Sequence, residues 1–319
     1  MDKVTVSVAM ASYNGEKYIT EQLESILAQT YPAHEIIISD DASQDETLNI
    51  LDRFQKKYSN IRLYKNTQTT GLNNNFERVV RKCKGHVIAL CDQDNIWEPN
   101  KLEKMISRLK NHILIYSDSL IVNSDNKPIK RLSESKKYKF TCAVTPKEFY
   151  FYNAVFGHNT LFQRDLLKDA LPFPKDGLNY DGWLPFVASC VGTIDYLDEP
   201  LVRYRLHSGN LTHPALEKEG PITPKEPKWQ RKQRYNHKLL NRLEVFATCR
   251  KLDPAERHFL SQFIAEIKKQ DHVYFNPNFL FIMLLNFSKL LHHKKTLKSV
   301  IKSFSMATGV KFYHTLRRR

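Results

Sequence analysis

Apolar and polar positions along residues 4–118 predict strands and helices in regular succession. Short runs rich in β-branched residues predict strands. The longer stretches between them carry apolar residues every three to four positions, as amphipathic helices do. The predicted strands are residues 4–10, 35–39, 61–64, 87–91 and 113–116. Because short links connect each strand to a helix, we expect an α/β domain with a Rossmann-like, doubly wound and mostly parallel sheet.

The pattern becomes less regular after about residue 119. Residues 120–129 predict a hairpin, and residues 193–197 predict one more strand after an aromatic-rich stretch. Residues 225–319 return to helical periodicity and include the apolar run 279–285. We therefore expect a smaller region of mixed structure after the first half of the sheet, followed by a helical appendage at the end of the chain.

Carboxylates directly follow two of the predicted strands. Asp92 and Asp94 come after the buried run 87–91, and Asp40 and Asp41 end the second strand. The carboxyl ends of parallel strands meet at one edge of a sheet, where ligands of open α/β sheets bind. Mg²⁺ and Mn²⁺ prefer carboxylate oxygens and bridge to substrate phosphates. The pattern favours a metal and phosphate site at this edge over a solvated loop.

The positive charge of the chain is concentrated at its end. The net charge is +15, and residues 225–319 contain 21 Lys and Arg against 6 Asp and Glu, so the preceding residues are neutral overall. Basic helices with leucine and aromatic residues are typical of a contact with an anionic membrane leaflet. A helical cap with a solvated basic face explains the same pattern equally well. No nucleic-acid-binding module is present, so nucleic acid is not expected as a partner.

Cysteine usage and the lack of targeting segments indicate a cytoplasmic protein. The five cysteines form no Cys-x-x-Cys pair, and their odd number suits reduced thiols. A strand pattern begins by Val4, with no signal peptide before it. The apolar run 279–285 is too short to span a bilayer. We expect a cytoplasmic location, with peripheral contact on the cytoplasmic face of the inner membrane as the alternative suggested by the basic tail.

Five ordered motifs resemble those of family 2 glycosyltransferases, which have the GT-A fold. The motifs are Ala-Ser-Tyr-Asn-Gly at 11–15, Asp-Asp-Ala-Ser-Gln-Asp at 40–45, Cys-Asp-Gln-Asp-Asn-Ile-Trp at 91–97, Tyr-Asp-Gly-Trp at 180–183 and Tyr-Arg-Leu-His at 204–207. The third motif is similar to that of the rhamnosyltransferase-like branch. The resemblance covers about residues 4–215. It implies a nucleotide-sugar-binding half over 1–118 and an acceptor-binding half over 119–220, with a basic helical C-terminal region over 221–319.

The resemblance also implies how the donor is bound. A divalent cation, Mn²⁺ or Mg²⁺, would be held by Asp94, with His207 completing its shell or contacting the diphosphate. The residues implied to bind the nucleotide sugar are Ala11, Tyr13, Asp41, Asp92, Gln93 and Arg205. Asp41 would accept the N–H of the base with Tyr13 flanking it, Asp92 would hydrogen-bond the ribose, and Arg205 would neutralise a phosphate. The alternatives are a capping role for Asp92, a structural His207 and a solvent-facing Arg205.

On the acceptor side, the resemblance implies that Asp181 is the general base. In-line attack needs a carboxylate opposite the leaving group to take the proton of the acceptor. The alternative is that Asp181 caps the helix that follows it. Trp183 either stacks on the acceptor sugar or belongs to the core. Members of the branch often carry His-Asp-Trp-Trp at this motif, so the aspartate is kept here while its neighbours differ, which leaves the donor and acceptor open.

The resemblance therefore implies a hexosyltransferase (EC 2.4) that is metal-dependent and inverts the anomeric carbon. Its donor would be dTDP-rhamnose or another sugar on UDP. Its acceptor would be a hydroxyl of a growing surface polysaccharide or a lipid-linked glycan. One alternative is a nucleotidyltransferase, although the first turn lacks the glycine-rich basic phosphate loop that such enzymes use. The other is an inactive nucleotide-binding scaffold, although Asp94 and Asp181 are both present.

Overall fold

The computed structural model describes residues 3–134, 140, 142, 145–207, 209–210, 227–291, 296–310 and 312. These residues form two compact units. The first unit contains the described residues of 1–144 and 154–210, and the second contains those of 145–153 and 211–319. A short segment from the middle of the chain therefore belongs to the same unit as the C-terminal helices.

The first unit is built on one nine-stranded sheet. Its strands are β1 (Val6–Ser12), β2 (Glu35–Asp40), β3 (Ile61–Lys65), β4 (Val87–Cys91), β5 (Ile96–Trp97), β6 (Leu114–Val122), β7 (Pro128–Arg131), β8 (Thr160–Gln163) and β9 (Ile194–Arg205). They follow the order β3-β2-β1-β4-β8-β6-β9-β5, with β7 paired to β6. The first four strands in this order are parallel, and β8 runs antiparallel to both of its neighbours. The predicted parallel half is thus present, and the second half is mixed.

Helices cover the sheet of the first unit. They are α1 (Ile19–Leu27), α2 (Thr47–Lys57), α3 (Leu72–Lys82), α4 (Lys101–Leu109), α5 (Leu167–Ala170) and α6 (Tyr180–Val191). Strands β1, β2 and β4 are buried on both faces, as parallel strands between helical layers are. The apolar stripes of the helices complete this core, for example through Leu23 and Leu102.

Strand β6 is longer than the pattern of apolar residues predicts. We expected a strand over 113–116, but β6 continues through Ser117, Asp118 and Ser119, all of which are buried. Burial of Asp118 is tolerated because its carboxylate accepts hydrogen bonds from Arg131 Nε at 2.8 Å and Ser133 Oγ at 2.6 Å. Beyond it, β6 and β7 form the predicted hairpin.

The second unit is helical. It contains α7 (Lys228–Ala247), α8 (Pro254–Lys269), α9 (Pro277–Leu285), α10 (Phe287–Leu290) and α11 (Thr296–Ala307). The inserted segment 145–153 supplies Tyr150, which is fully buried with its ring near those of Phe246, Phe259 and Phe263. Within the described part of the chain, none of the helices combines the length and apolar character that crossing a bilayer requires.

Candidate active site

The predicted donor-side motifs meet at the carboxyl edge of the parallel half of the sheet. Strand β1 lies between β2 and β4, with Ser12 opposite Asp40 and Met10 opposite Cys91. The turns that follow these three strands therefore lie side by side. Ala11 lies within β1, and the exposed Tyr13 is the first residue after that strand.

Asp40 and Asp41 have different surroundings, although both are buried. Asp40 organises its own turn, since its carboxylate accepts hydrogen bonds from Ser12 Oγ at 2.8 Å and Ser43 Oγ at 2.6 Å. Asp41 points to the next loop and accepts bonds from Thr70 N at 2.8 Å and Gly71 N at 2.9 Å. Burial raises the pKa of Asp41, but these hydrogen bonds outweigh it and hold the pKa below its usual value. Asp41 is therefore an ionised acceptor at the sheet edge.

Gln93 connects the two neighbouring turns. Its side-chain oxygen accepts from Tyr13 N at 2.8 Å, and its side-chain nitrogen donates to Tyr13 O at 2.8 Å. Gly15 lies so close that a Cβ at this position would meet Gln93 Oε1 at 2.4 Å. The predicted role of Gln93 was direct contact with the nucleotide sugar, but its amide is used to fix the backbone that carries Tyr13.

Asp94 and His207 approach each other directly. Asp94 Oδ2 lies 2.9 Å from His207 Nε2 and 3.3 Å from Asn210 Nδ2. Among the described residues there is no cluster of three or more His, Cys, Asp and Glu side chains arranged to hold a metal. Mg²⁺ at phosphate sites is usually bound by one or two carboxylates together with substrate phosphates and water. The pair Asp94 and His207 fits such an ion when a diphosphate supplies further ligands.

Asp92 lies in an environment that disfavours its charge. Burial raises the pKa of Asp92 well above its ordinary value, and the nearby carboxylates of Asp94 and Asp181 raise it further. This mutual effect places Asp181, from another part of the chain, in the same electrostatic cluster as the two strand-end carboxylates.

Asp181 lies in the first turn of α6. The N-cap of this helix is Asn179, so the alternative that Asp181 caps the helix is wrong. A carboxylate in the first turn is favoured by the helix dipole. Its neighbour Tyr180 is buried, and its ring stacks on Phe76 with centroids 3.9 Å apart.

The structure places Arg205 in a role that neither sequence-based alternative described. The side chain is 3% exposed and so does not face solvent. Its Nε donates to the backbone oxygen of Asp94 at 3.1 Å, and its Nη1 donates to Ser124 O at 2.9 Å. The remaining nitrogen forms an ion pair with Glu21. Three of the five N–H donors of Arg205 are thus directed at protein acceptors, and these bonds brace the turn that carries Asp94.

Trp183 belongs to the core, which corrects its assignment to acceptor binding. The residue is 5% exposed, and its indole Nε1 donates to Ala170 O at 2.7 Å. A buried tryptophan usually has such a partner for its N–H. Its ring therefore has no open face on which an acceptor sugar could stack.

Sequence reasoning missed a buried polar cluster beneath the carboxylates. Lys101 is fully buried, with Nζ donating to His158 O at 2.8 Å and lying 3.6 Å from the ring centroid of Trp97. Burial lowers the pKa of Lys101 to about 7 and that of His158 to about 3, so His158 is neutral. His158 Nδ1 lies 3.7 Å from Asp92 Oδ2. The sequence feature that could have indicated this cluster is Lys101, which lies in the first turn of the helix after the Asp-x-Asp motif.

Comparison with known proteins identifies the family. The model of glycosyl transferase family 2 matches residues 7–171, just over half of the chain. An uncharacterized glycosyltransferase of Methanocaldococcus jannaschii is 28% identical over 213 residues, which are 65% of this chain and 72% of that protein.

Two relatives with named activities match over shorter stretches. The dTDP-rhamnosyl transferase RfbG of Shigella flexneri is 41% identical over 98 residues, or 29% of this chain and 34% of RfbG. WfgD of Escherichia coli, a UDP-Glc:alpha-D-GlcNAc-diphosphoundecaprenol beta-1,3-glucosyltransferase, is 37% identical over 102 residues, or 32% of this chain and 40% of WfgD. The matched stretches are thus well under half of either relative.

Solved structures show the same fold at low identity. TarS residues 1-349 of S. aureus, in complex with UDP-GlcNAc, has a TM-score of 0.60 at 16% identity and covers 98% of this chain and 92% of its own. The mannosyltransferase PcManGT of Pyrobaculum calidifontis, in complex with GDP-Man and Mn²⁺, has a TM-score of 0.52 at 16% identity, with 100% and 80% covered. The predicted GT-A fold is confirmed. The chain therefore belongs to glycosyl transferase family 2 and is a glycosyltransferase that uses nucleotide-sugar donors.

Proposed function

We propose that the protein transfers a hexosyl group to a hydroxyl of a surface polysaccharide or lipid-linked glycan, with inversion at the anomeric carbon. The observation that carries the proposal is the cluster of Asp92, Asp94 and Asp181, whose carboxylates act on one another at the carboxyl edge of the sheet. The donor is dTDP-rhamnose, as the name of RfbG supports, or a UDP-sugar, as the name of WfgD supports.

The nucleotide would bind over the first two turns. Asp41 is ionised and accepts the N–H of the base, while the exposed ring of Tyr13 flanks it. Gln93 keeps Tyr13 at a fixed distance from the acidic turn through its two hydrogen bonds. Asp92 hydrogen-bonds the ribose.

The leaving diphosphate would lie at Asp94 and His207. These two residues would hold a divalent cation, Mn²⁺ or Mg²⁺, together with the phosphates of the donor. The ion would offset the negative charge that develops on the leaving group. Arg205 supports this arrangement from below by fixing the backbone oxygen of Asp94.

Asp181 would take the proton of the acceptor hydroxyl as the hydroxyl oxygen attacks the anomeric carbon. Its place in the first turn of α6 favours the ionised form that a base requires. Attack from the face opposite the diphosphate inverts the anomeric carbon. We further propose that the second unit contacts the cytoplasmic face of the membrane peripherally, where lipid-linked acceptors are found.

The test is a measurement of thermal stability with UDP, dTDP, GDP and CDP, each with Mn²⁺ and with a chelator. A ligand at about a hundred times its dissociation constant adds about 2.7 kcal/mol to the free energy of unfolding, which raises Tm by several degrees. A Mn²⁺-dependent rise with dTDP or UDP alone is expected, and Asp94→Asn should lose the dependence on Mn²⁺. A rise that is unchanged by chelator would contradict the metal site, and no rise with any nucleotide would favour the scaffold alternative.

The anomeric configuration of the product, read by NMR, tests inversion.

A further inference from the structure

A basic groove lies within the second unit, between α7 and α11. It encloses about 480 Å³ and is lined by Lys228, Arg231, Lys232, Tyr235, Lys302, Ser305 and Met306. This volume is in the range of ligand pockets of proteins. Four of these seven residues carry a positive charge on their side chains.

The residues of α7 that line the groove form a stripe along one face of the helix, at positions 228, 231, 232 and 235, which follow the i, i+3, i+4, i+7 spacing. The buried face of α7 is a different one, formed by Asn236, Leu239, Leu243 and Phe246. Here the stripe is cationic at three of its four positions. Like charges four residues apart, as at Lys228 and Lys232, destabilise a helix. The like charges of the stripe repel one another, and an anion in the groove would offset that repulsion.

Among the residues that the structure describes, no carboxylate lies within ion-pair distance of Lys228, Arg231 or Lys232. Lys232 Nζ donates to Met306 O at 2.9 Å and retains further N–H donors. Burial and the nearby charge of Lys302 lower the pKa of Lys232 to about 8, and Asp271 acts in the opposite direction. Asp271 accepts one hydrogen bond from Asn236, and its Oδ2 lies 3.2 Å from His237 Nε2.

Exposed apolar side chains lie on α11, which lines the groove, and on α9, which packs against α11. Helix α11 carries Ile301 and Phe304 beside the groove residues Lys302 and Ser305, and α9, which packs against α11, carries Phe281 and Leu285. The solvent-exposed fraction of these four side chains lies between 48% and 67%. Large apolar residues concentrated in this way mark an interaction surface. A surface that is cationic in its groove and apolar beside it fits a ligand with an anionic head and an apolar tail.

We propose that this groove binds the phosphate of an anionic lipid headgroup, while Phe281, Leu285, Ile301 and Phe304 contact the acyl region of the leaflet. The lysine and arginine side chains and the hydroxyls of Tyr235 and Ser305 supply donors for phosphate oxygens. The proposal rests on the peripheral membrane contact proposed above, but it is independent of the reaction at the sheet edge.

The test uses the full chain and sedimentation with vesicles of phosphatidylcholine, with and without 30% phosphatidylglycerol, in the absence of any sugar donor. Binding to the anionic vesicles is expected, and Lys232→Gln with Lys302→Gln should weaken it about 30-fold. The matched control is Lys238→Gln with Arg250→Gln, which removes the same charge from exposed positions outside the groove and should cost less than about 5-fold. Phe281→Ser with Leu285→Ser should weaken binding at least tenfold. Circular dichroism confirms that each variant is folded.

Three outcomes would overturn the proposal. Equal losses in the groove variant and its control would show that overall charge governs binding, and no binding to anionic vesicles would exclude the surface. Inorganic diphosphate that binds as tightly as the vesicles, with the same dependence on Lys232, would show a site for a soluble anion. Each of these outcomes leaves the nucleotide panel unaffected, so failure here and failure of the proposed reaction are distinguishable.

Discussion

Gln93 and Tyr13 are joined by two reciprocal hydrogen bonds, both 2.8 Å long, between a side-chain amide and a backbone amide. This pairing couples the turn after β1 to the turn after β4. We expect Gln93→Ala to raise the dissociation constant of the nucleotide about tenfold, because the two bonds together contribute about 1–3 kcal/mol. Gln93→Glu keeps an acceptor for Tyr13 N and should have a smaller effect. Calorimetric titration measures both, with the exposed Gln230→Ala as control. Equal affinity in all variants would show that the pairing does not hold the base site.

Asp181→Asn should separate donor binding from transfer. The substitution keeps the size of the side chain but removes its ability to accept a proton, so we expect transfer to fall by about 10²–10⁴-fold. Nucleotide binding should change little, because the role proposed for Asp181 is on the acceptor side. The rate of sugar transfer and the dissociation constant of the nucleotide are measured for this variant and for Asp176→Asn, which alters an exposed aspartate of the preceding loop. Retained transfer in Asp181→Asn would assign the base to another residue.

We expect Arg205→Lys to lower the stability of the folded protein more than it alters the binding of the nucleotide phosphates. Lysine cannot reproduce the planar set of bonds to Asp94 O, Ser124 O and Glu21, so a buried cation would lose partners for its charge and two part-buried backbone oxygens would lose a donor. We expect a loss of about 2–4 kcal/mol in the free energy of unfolding, measured with urea. The neighbouring Arg203→Lys alters a partly exposed pair with Glu98 and should cost less than about 1 kcal/mol. A stable Arg205→Lys variant with weakened nucleotide binding would instead support a direct phosphate contact.

Lys101 predicts a specific pH dependence of stability. Its pKa is about 7 in the folded protein, because of burial, and about 10.4 in an unfolded chain. Between these values the folded state binds fewer protons, so this group makes the protein more stable as pH rises from 7 to 10. Lys101→Met removes the contribution. The difference in unfolding free energy, variant minus wild type, should therefore fall by on the order of 1 kcal/mol per pH unit between pH 7 and 9.

Urea unfolding at several pH values measures this difference directly. The raised pKa of Asp92 acts in the same direction, because loss of the Lys101 ammonium makes its carboxyl keep its proton to higher pH. A difference that stays constant with pH would show that Lys101 remains charged in the folded state throughout this range.

The sequence predicts that the acidic turns meet at one edge of the sheet because strand-end rules are general. Asp92 and Asp94 follow a buried strand, and parallel topology then brings Asp41 to the same edge without any knowledge of side-chain contacts. The same rules could not show what Gln93 and Arg205 touch, because the partners of both side chains include backbone atoms of distant loops. A motif shows that such side chains are polar but not whether protein atoms already occupy their hydrogen-bonding groups, as they do at Gln93 and Arg205.

The sequence pattern also failed to predict which polar residues are buried. Ser117, Asp118 and Ser119 read as the end of a strand, although β6 continues through them, because Arg131 and Ser133 satisfy Asp118 from outside the segment. Lys101 escaped notice for a related reason, since its stabilising contacts come from His158 O and the Trp97 ring. A local pattern of polarity does not record such long-range compensation.

The inserted segment 145–153 makes the C-terminal helices inseparable from the rest of the polypeptide by a single cut. A chain that stopped after residue 210 would keep Tyr150 and Phe151 but lose the phenylalanine rings that cover them, including Phe263. It would expose an aromatic surface and be prone to aggregate. Exchange of this unit between related enzymes would require two separate chain segments to be exchanged together. Because the first of them interrupts the chain of the sheet-containing unit, the two units are expected to evolve together.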